Sequence, residues 1–130
     1  MPYILDTNVA IRLRDGDEEI VRRVGELDGA IMLSIVTRIE LEGGVYRIPV
    51  GASARRARLN ELLSALPVLT FDDAAAEAYG EIIATVGYSR RKLLDRMIAA
   101  QAIVHRATLV TMNARDFADV PDLDVVSWGA

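Results

Sequence analysis

The sequence contains no cysteine, which excludes a disulfide framework and any thiolate-bound metal and fits a reducing, cytoplasmic compartment. Histidine occurs once, as His105. A pair of imidazoles acting as general acid and base is therefore excluded, and His105, late in a predicted helix, reads as a partly exposed structural residue. Any hydrolytic water would have to be activated by carboxylates or by a metal. Long apolar runs are also missing. Those around Ala30–Ile35 and Leu109–Met112 fall far short of the ~20 residues of a membrane span, and no membrane association is expected. No basic region precedes the first apolar residues, and Asp6 interrupts them, so no signal peptide is expected. Basic excess is absent too: the net charge of -4 argues against coating nucleic acid through bulk charge, and leaves room for a local basic rim or a basic partner.

With 130 residues, 52% of them apolar, the chain is expected to form a single domain over residues 1–130 with a proper core. Tyr3-Ile4-Leu5 reads as a buried strand that delivers Asp6 to its carboxyl end. A short helix should follow over Asn8 to Arg14, with Thr7 as its cap and Asp15-Gly16 as its stop, and Ile20, Val21, Val24 and Leu27 mark one face of a second helix. Ala30 to Leu33 reads as a strand, and Ser34 as the cap of a helix through Thr37, Glu40 and Val45. The Ile48–Gly51 stretch is a break, after which Leu59, Leu62, Leu63 and Leu66 take helical spacing. A strand at Val68–Phe71, a helix with apolar face Ala75, Tyr79, Ile82 and Val86, a helix from Leu94 to Arg106, and strands at Leu109–Thr111 and Val125–Ser127 complete the pattern. Strands separated by one or two helices predict a three-layer α/β/α sandwich around a parallel sheet.

In such a sheet the ligand site lies outside the carboxyl ends of the strands, and four acids are candidates for it. Asp6 is placed there by its strand, with Thr7 and Asn8 forming the turn that aims it. Glu40 shares a helix flank with Thr37 and Gly44, and Asp95 lies in line with Ala99 and Ala102, whose small side chains suit close packing on the sheet. Asp116 is the third position of a turn that Asn113 can cap. Each has a plainer reading: a solvated glutamate, an acid at the positive end of a helix dipole, a bare turn. If the four converge, mutual repulsion raises their pKa values unless a cation is present. An all-oxygen ligand set favours Mg²⁺ or Mn²⁺ over zinc, and suits activation of water for attack on a phosphodiester.

Four stretches, Asp6-Thr7-Asn8 after an apolar strand, Ser34 to Leu41, Asp95 to Ala102 and Thr111 to Phe117, resemble the motifs of PIN-domain nucleases. Their order and the chain length look most like the VapC type, the toxin of a toxin-antitoxin pair. The resemblance implies that Asp6, Glu40, Asp95 and Asp116 are the catalytic, metal-binding acids and that Thr111 and Asn113 support Asp116. It also implies Mg²⁺- or Mn²⁺-dependent endonucleolytic cleavage of RNA, a homodimer, and a cognate antitoxin that blocks the site. The stretch from Gly51 to Leu66 carries no matching motif.

Arg90, Arg91 and Lys92, with Arg96, form the densest basic cluster, flanking Asp95. A charge run is ordinarily a solvated face; beside an acidic site it can also contact RNA phosphates. Arg12 is a lesser candidate. Two other functions fit the same acids, a structure-specific DNA nuclease on this scaffold and a regulatory Mg²⁺-binding module resembling a receiver domain.

Overall fold

A computed structural model describes residues 1–129 of the chain. Five parallel strands, β1 (Tyr3–Leu5), β2 (Ile31–Ser34), β3 (Val68–Leu69), β4 (Thr108–Thr111) and β5 (Val125–Ser127), form one sheet in the order β3-β2-β1-β4-β5. The helices are α1 (Thr7–Arg14), α2 (Glu18–Gly25), α3 (Ile35–Tyr46), α4 (Ala52–Ala65), α5 (Asp73–Val86) and α6 (Leu93–Val104). A single 3₁₀ turn, Ala114–Phe117, lies between β4 and β5. The expected α/β/α sandwich is therefore the observed architecture.

Alternation along the strands creates the three layers. Ile4 and Leu109 point into a core with Ile82, Ile98, Ala99 and Phe117, whereas their neighbours Leu5 and Val110 join Val9, Leu33, Leu41, Val45, Leu59 and Leu62 on the other face. Both faces are covered, which is why the central strands read as continuous apolar runs. The leucine stripe of α4 is core at Leu59 and Leu62, and half-buried at Leu63 and Leu66.

Several boundaries differ from expectation. Helix α1 begins at Thr7 and its cap is Asp6, whose carboxylate accepts the Thr7 amide. Aspartate is the better acceptor for an open helix amide, and here it serves the site as well. Helix α2 ends at Gly25, and Val21 on it is exposed. Strand β3 stops at Leu69, opposite Ser34, where its partner β2 gives way to α3, and the carbonyls of Leu69 and Thr70 accept from the buried Gln101 amide at 3.1 and 3.0 Å. Gln101 also accepts the hydroxyl of Ser34, which caps α3, so one side chain fastens β2, β3 and α6 together. Helix α6 starts at Leu93 and ends at Val104, where Arg106 takes a left-handed φ of 51°, and His105 follows it exposed. Among the described residues no helix is long and apolar enough to cross a membrane.

Candidate active site

Strands β2 and β3 lie on one side of β1, and β4 and β5 on the other. The crevice between the carboxyl ends of β1 and β4 is thus the topological switch point, where parallel sheets leave space for a ligand. Asp6 follows β1 directly and Thr111 ends β4. Their side chains meet there: the Thr111 hydroxyl donates to Asp6 Oδ2 at 2.9 Å, while Asp6 Oδ1 accepts the Thr7 amide at 2.8 Å. Asp6 is only 8% exposed, and burial raises its pKa, with Asp116 adding to the rise and the bonds from Thr111 and Thr7 opposing it.

Because Asp6 takes the capping role, the Thr7 side chain is available for another partner. Its hydroxyl donates to Glu40 Oε1 at 2.7 Å and stands 3.0 Å from the Thr37 hydroxyl. Thr37 and Glu40 are one helical turn apart on α3. The pair of threonines therefore turns an exposed glutamate toward the strand ends.

Asp116 is held differently from expectation. The Asn113 side chain makes no capping bond to the 3₁₀ turn. Instead its amide Nδ2 donates to Asp116 Oδ2 at 2.9 Å, and its backbone amide donates to the Thr111 hydroxyl at 3.0 Å. Thr111 thus accepts from one arm of the turn and donates to Asp6, which connects the two acids. Asp95 sits in the first turn of α6, half-buried. Its pKa is pushed up to about 6, first by burial and then by the charges of Asp6, Asp116 and Glu40, with Lys92 acting in the opposite sense.

Asp6, Thr7, Asn8, Glu40, Asp95 and Asp116 line one cleft of about 460 Å³. Among the described residues, no group of three or more acidic or histidine side chains is already closed around a metal-sized space. The acids line an open cleft. Their chemistry fits a hard divalent ion even so: every donor is oxygen, and burial and mutual repulsion disfavour the ionised forms of Asp6 and Asp95, an imbalance that a cation relieves.

The basic cluster divides, with three of its members at the surface before α6 and Arg96 in the interior. Arg90 and Arg91 are exposed in the turn before α6, and Lys92 reaches to 3.8 Å from Asp119. Arg96 is buried, with its guanidinium donating to the Gly87 carbonyl at 2.6 Å and to Asp119 at 2.9 Å. It is unavailable to a phosphate, since helical geometry turns it away from the run it seemed to continue. Arg12 lies 3.9 Å from Asp17 and faces a different depression, also lined by Asp15, Glu18 and Glu19. The cleft's own arginines are Arg14, Arg47 and Arg55. Sequence reasoning missed them because they stand in three separate stretches that only the packing of α1, α3 and α4 unites.

The arrangement matches known proteins over its full length. The chain is 28% identical to "Ribonuclease VapC2" of Rickettsia felis over 135 aligned positions, covering 98% of each protein. It is also 28% identical to the "tRNA(fMet)-specific endonuclease VapC" of Salmonella typhimurium, again with 98% of each covered. A solved structure of VapBC2 from Rickettsia felis, bound to a DNA fragment from their promoter, superposes with a TM-score of 0.86 at 26% identity, covering 98% of this chain and 99% of that one. The profile of the PIN domain matches residues 3–123, and the protein accordingly belongs to the PIN domain family.

Proposed function

We propose that the protein is a Mg²⁺- or Mn²⁺-dependent endoribonuclease and the toxin of a type II toxin-antitoxin pair. The observation that carries this reading is the cleft at the β1–β4 switch point, which gathers acids from four separate segments of the chain. Full-length similarity to proteins named as VapC ribonucleases supports the substrate class. Similarity to the toxin component of VapBC complexes supports a cognate antitoxin, and a homodimer is part of the same proposal.

Asp6, Glu40, Asp95 and Asp116 would hold the ion. When bound, the ion supplies activation of water and stabilisation of the charge that builds on the phosphoryl oxygens. The chain's own residues set the geometry. Thr111 and the Thr7 amide fix both oxygens of Asp6, Thr7 fixes Glu40, and Asn113 fixes Asp116. Such preorganisation would let the carboxylates receive a cation without reorienting. Asn8, exposed at the mouth of the cleft, offers an uncharged amide to the substrate. Arg90, Arg91 and Lys92 lie just before the Asp95 helix and are proposed as outer phosphate contacts. A receiver-like role has less support, since Lys92, the only lysine, stands beside Asp119.

Asp6→Asn and Asp95→Asn should each abolish RNA cleavage and growth arrest while the circular dichroism spectrum stays native. Full cleavage of RNA in excess EDTA would overturn the proposal. Parallel assays on matched RNA and DNA strands distinguish a ribonuclease from a DNA nuclease.

A further inference from the structure

Along α3 beyond Glu40 the same cleft is lined by Gly44, Arg47 and Ile48, with Arg14 beside Gly44 and Arg55 bonded to the Ile48 carbonyl, so three arginines gather where α3 ends. The three arginines are in different states. Arg55, in the first turn of α4, is tied to the backbone: its Nε and Nη2 donate to the Val45 carbonyl at 3.1 and 3.0 Å, and Nη2 also donates to the Ile48 carbonyl. These are acceptors that the end of α3 leaves open, so Arg55 is a strut that holds the α3–α4 connection against the cleft.

Arg14, in the last turn of α1, has a side chain only 7% exposed. Its Nε and Nη2 donate to Asp15 at 3.0 and 3.3 Å. Its Nη1 has no protein acceptor among the described residues, and it lies beside Gly44, where an added Cβ would be 3.8 Å away. Arg47, which ends α3, is exposed and takes part in no ion pair or side-chain hydrogen bond among the described residues. One guanidinium is thus immobilised with a free edge, and a second stands free in the same part of the cleft.

We propose that Arg14 and Arg47 form a phosphate subsite that holds the RNA backbone beside the residue of cleavage, a reading that rests on the ribonuclease function proposed above. A chain with a net charge of -4 does not attract a polyanion globally, and its four cleft acids repel one. Local cations in the same cleft must offset that repulsion. Guanidinium suits the task because its N–H fork matches phosphate oxygens and it stays charged at any working pH. The backing of Arg14 by Asp15 leaves only one edge to point at the ligand. The strand would then lie with one phosphate at the acids and a neighbouring one at the arginines. A cleft that carries both charges therefore registers the strand.

The test compares wild type, Arg14→Gln, Arg47→Gln, Arg47→Lys and Arg106→Gln. Arg106 is exposed and precedes β4 at its amino end, whereas the site lies at the carboxyl ends of the strands, and its variant controls for net charge. The substrate is a short fluorescein-labelled single-stranded RNA of mixed sequence. In cleavage assays Arg14→Gln and Arg47→Gln should each raise KM roughly tenfold, as loss of a charge-assisted contact does, with kcat within about twofold. Arg47→Lys should recover part of that loss, and Arg106→Gln should match wild type. In binding assays, with Asp95→Asn present in every protein to prevent cleavage, each Gln variant should lower the slope of log K against log salt by about 0.7. Slopes and KM values equal to those of wild type, or to those of Arg106→Gln, would overturn the proposal. Should Arg14→Gln fail to fold, the exposed Arg47 carries the same test. If wild type cleaves no RNA, the ribonuclease reading fails, while the salt slopes still report on the phosphate contacts.

Discussion

The buried guanidinium of Arg96 donates to Asp119 at 2.9 Å and to the Gly87 carbonyl at 2.6 Å. One side chain thereby joins the helix that carries Asp95 to the segment that follows Asp116, and to the loop before α6. Its Nε has no partner, so the charge depends on those contacts. Asp119→Ala should cost roughly 1–3 kcal/mol in urea denaturation, the usual effect of removing a charged hydrogen-bond partner. Lys92→Gln, which touches the same carboxylate only at 3.8 Å, should cost no more than about 0.5 kcal/mol. Equal costs for the two variants would argue against a special role for the Arg96 contact.

Thr111→Val keeps the shape of the side chain but removes both the donor to Asp6 and the acceptor for the Asn113 amide. The Thr111 bond holds the Asp6 pKa down, so its loss should move the acidic limb of the pH–rate profile to higher pH. If Asp6 holds a metal as proposed, the rate of RNA cleavage should fall about 10- to 100-fold, the usual effect of removing a support of a metal-binding group. Thr111→Ser, which restores the hydroxyl, should recover most of it.

Asp95 makes the metal-free protein sensitive to pH in a defined direction. Its folded pKa of about 6 lies above the ordinary 3.8, so between those values the folded chain keeps a proton that the unfolded chain has lost. The stability from this group is full below 3.8 and is lost as pH rises through about 6. In EDTA, Asp95→Asn should therefore melt a few degrees above wild type at about pH 7.5, an advantage that shrinks as pH falls through about 6 and is lost only towards 3.8. Water screens this half-exposed site, which keeps the effect modest. Millimolar MnCl₂ should raise the melting temperature of wild type and leave Asp95→Asn nearly unmoved; an equal rise in both would speak against the acids as the binding site.

Gly51 precedes α4 with a φ of 83°, and a Cβ there would approach Arg55 Nη1 to 2.9 Å. Gly51→Ala should cost about 1–2 kcal/mol through the left-handed backbone alone. It should also increase hydrogen exchange at the end of α3, because the Arg55 strut is displaced. Normal protection there would show that the strut tolerates the change.

The candidate acids were legible because each stands at a fixed place in a βα unit. Asp6 ends an apolar run, Asp95 is in line with small residues on an amphipathic helix, and strand ends converge in any parallel sheet. The cap of α1 was misplaced by one residue, since Thr7 and Asp6 are both good caps and only the site decides which hydroxyl or carboxylate is needed elsewhere. Arg96 was misread because linear proximity to Arg90–Lys92 resembled a continuous surface, whereas its contacts come from Gly87 and Asp119, both outside the run. The basic part of the cleft was invisible for the opposite reason. Arg14, Arg47 and Arg55 share no local pattern and become neighbours only through helix packing.

The central position of β1 also has a bearing on when the cleft can exist. Asp6 leaves the ribosome well before its partner Thr111, which lies 105 positions later. At about 5–20 residues per second of synthesis, roughly 5–20 s separate the two. Throughout that interval β1 lacks β4 along one edge, and both Asp95 and Asp116 are late arrivals. On the proposed reading a nascent chain is accordingly unarmed, and a ribosome making this protein is spared its product until Thr111 and Asp116 have emerged.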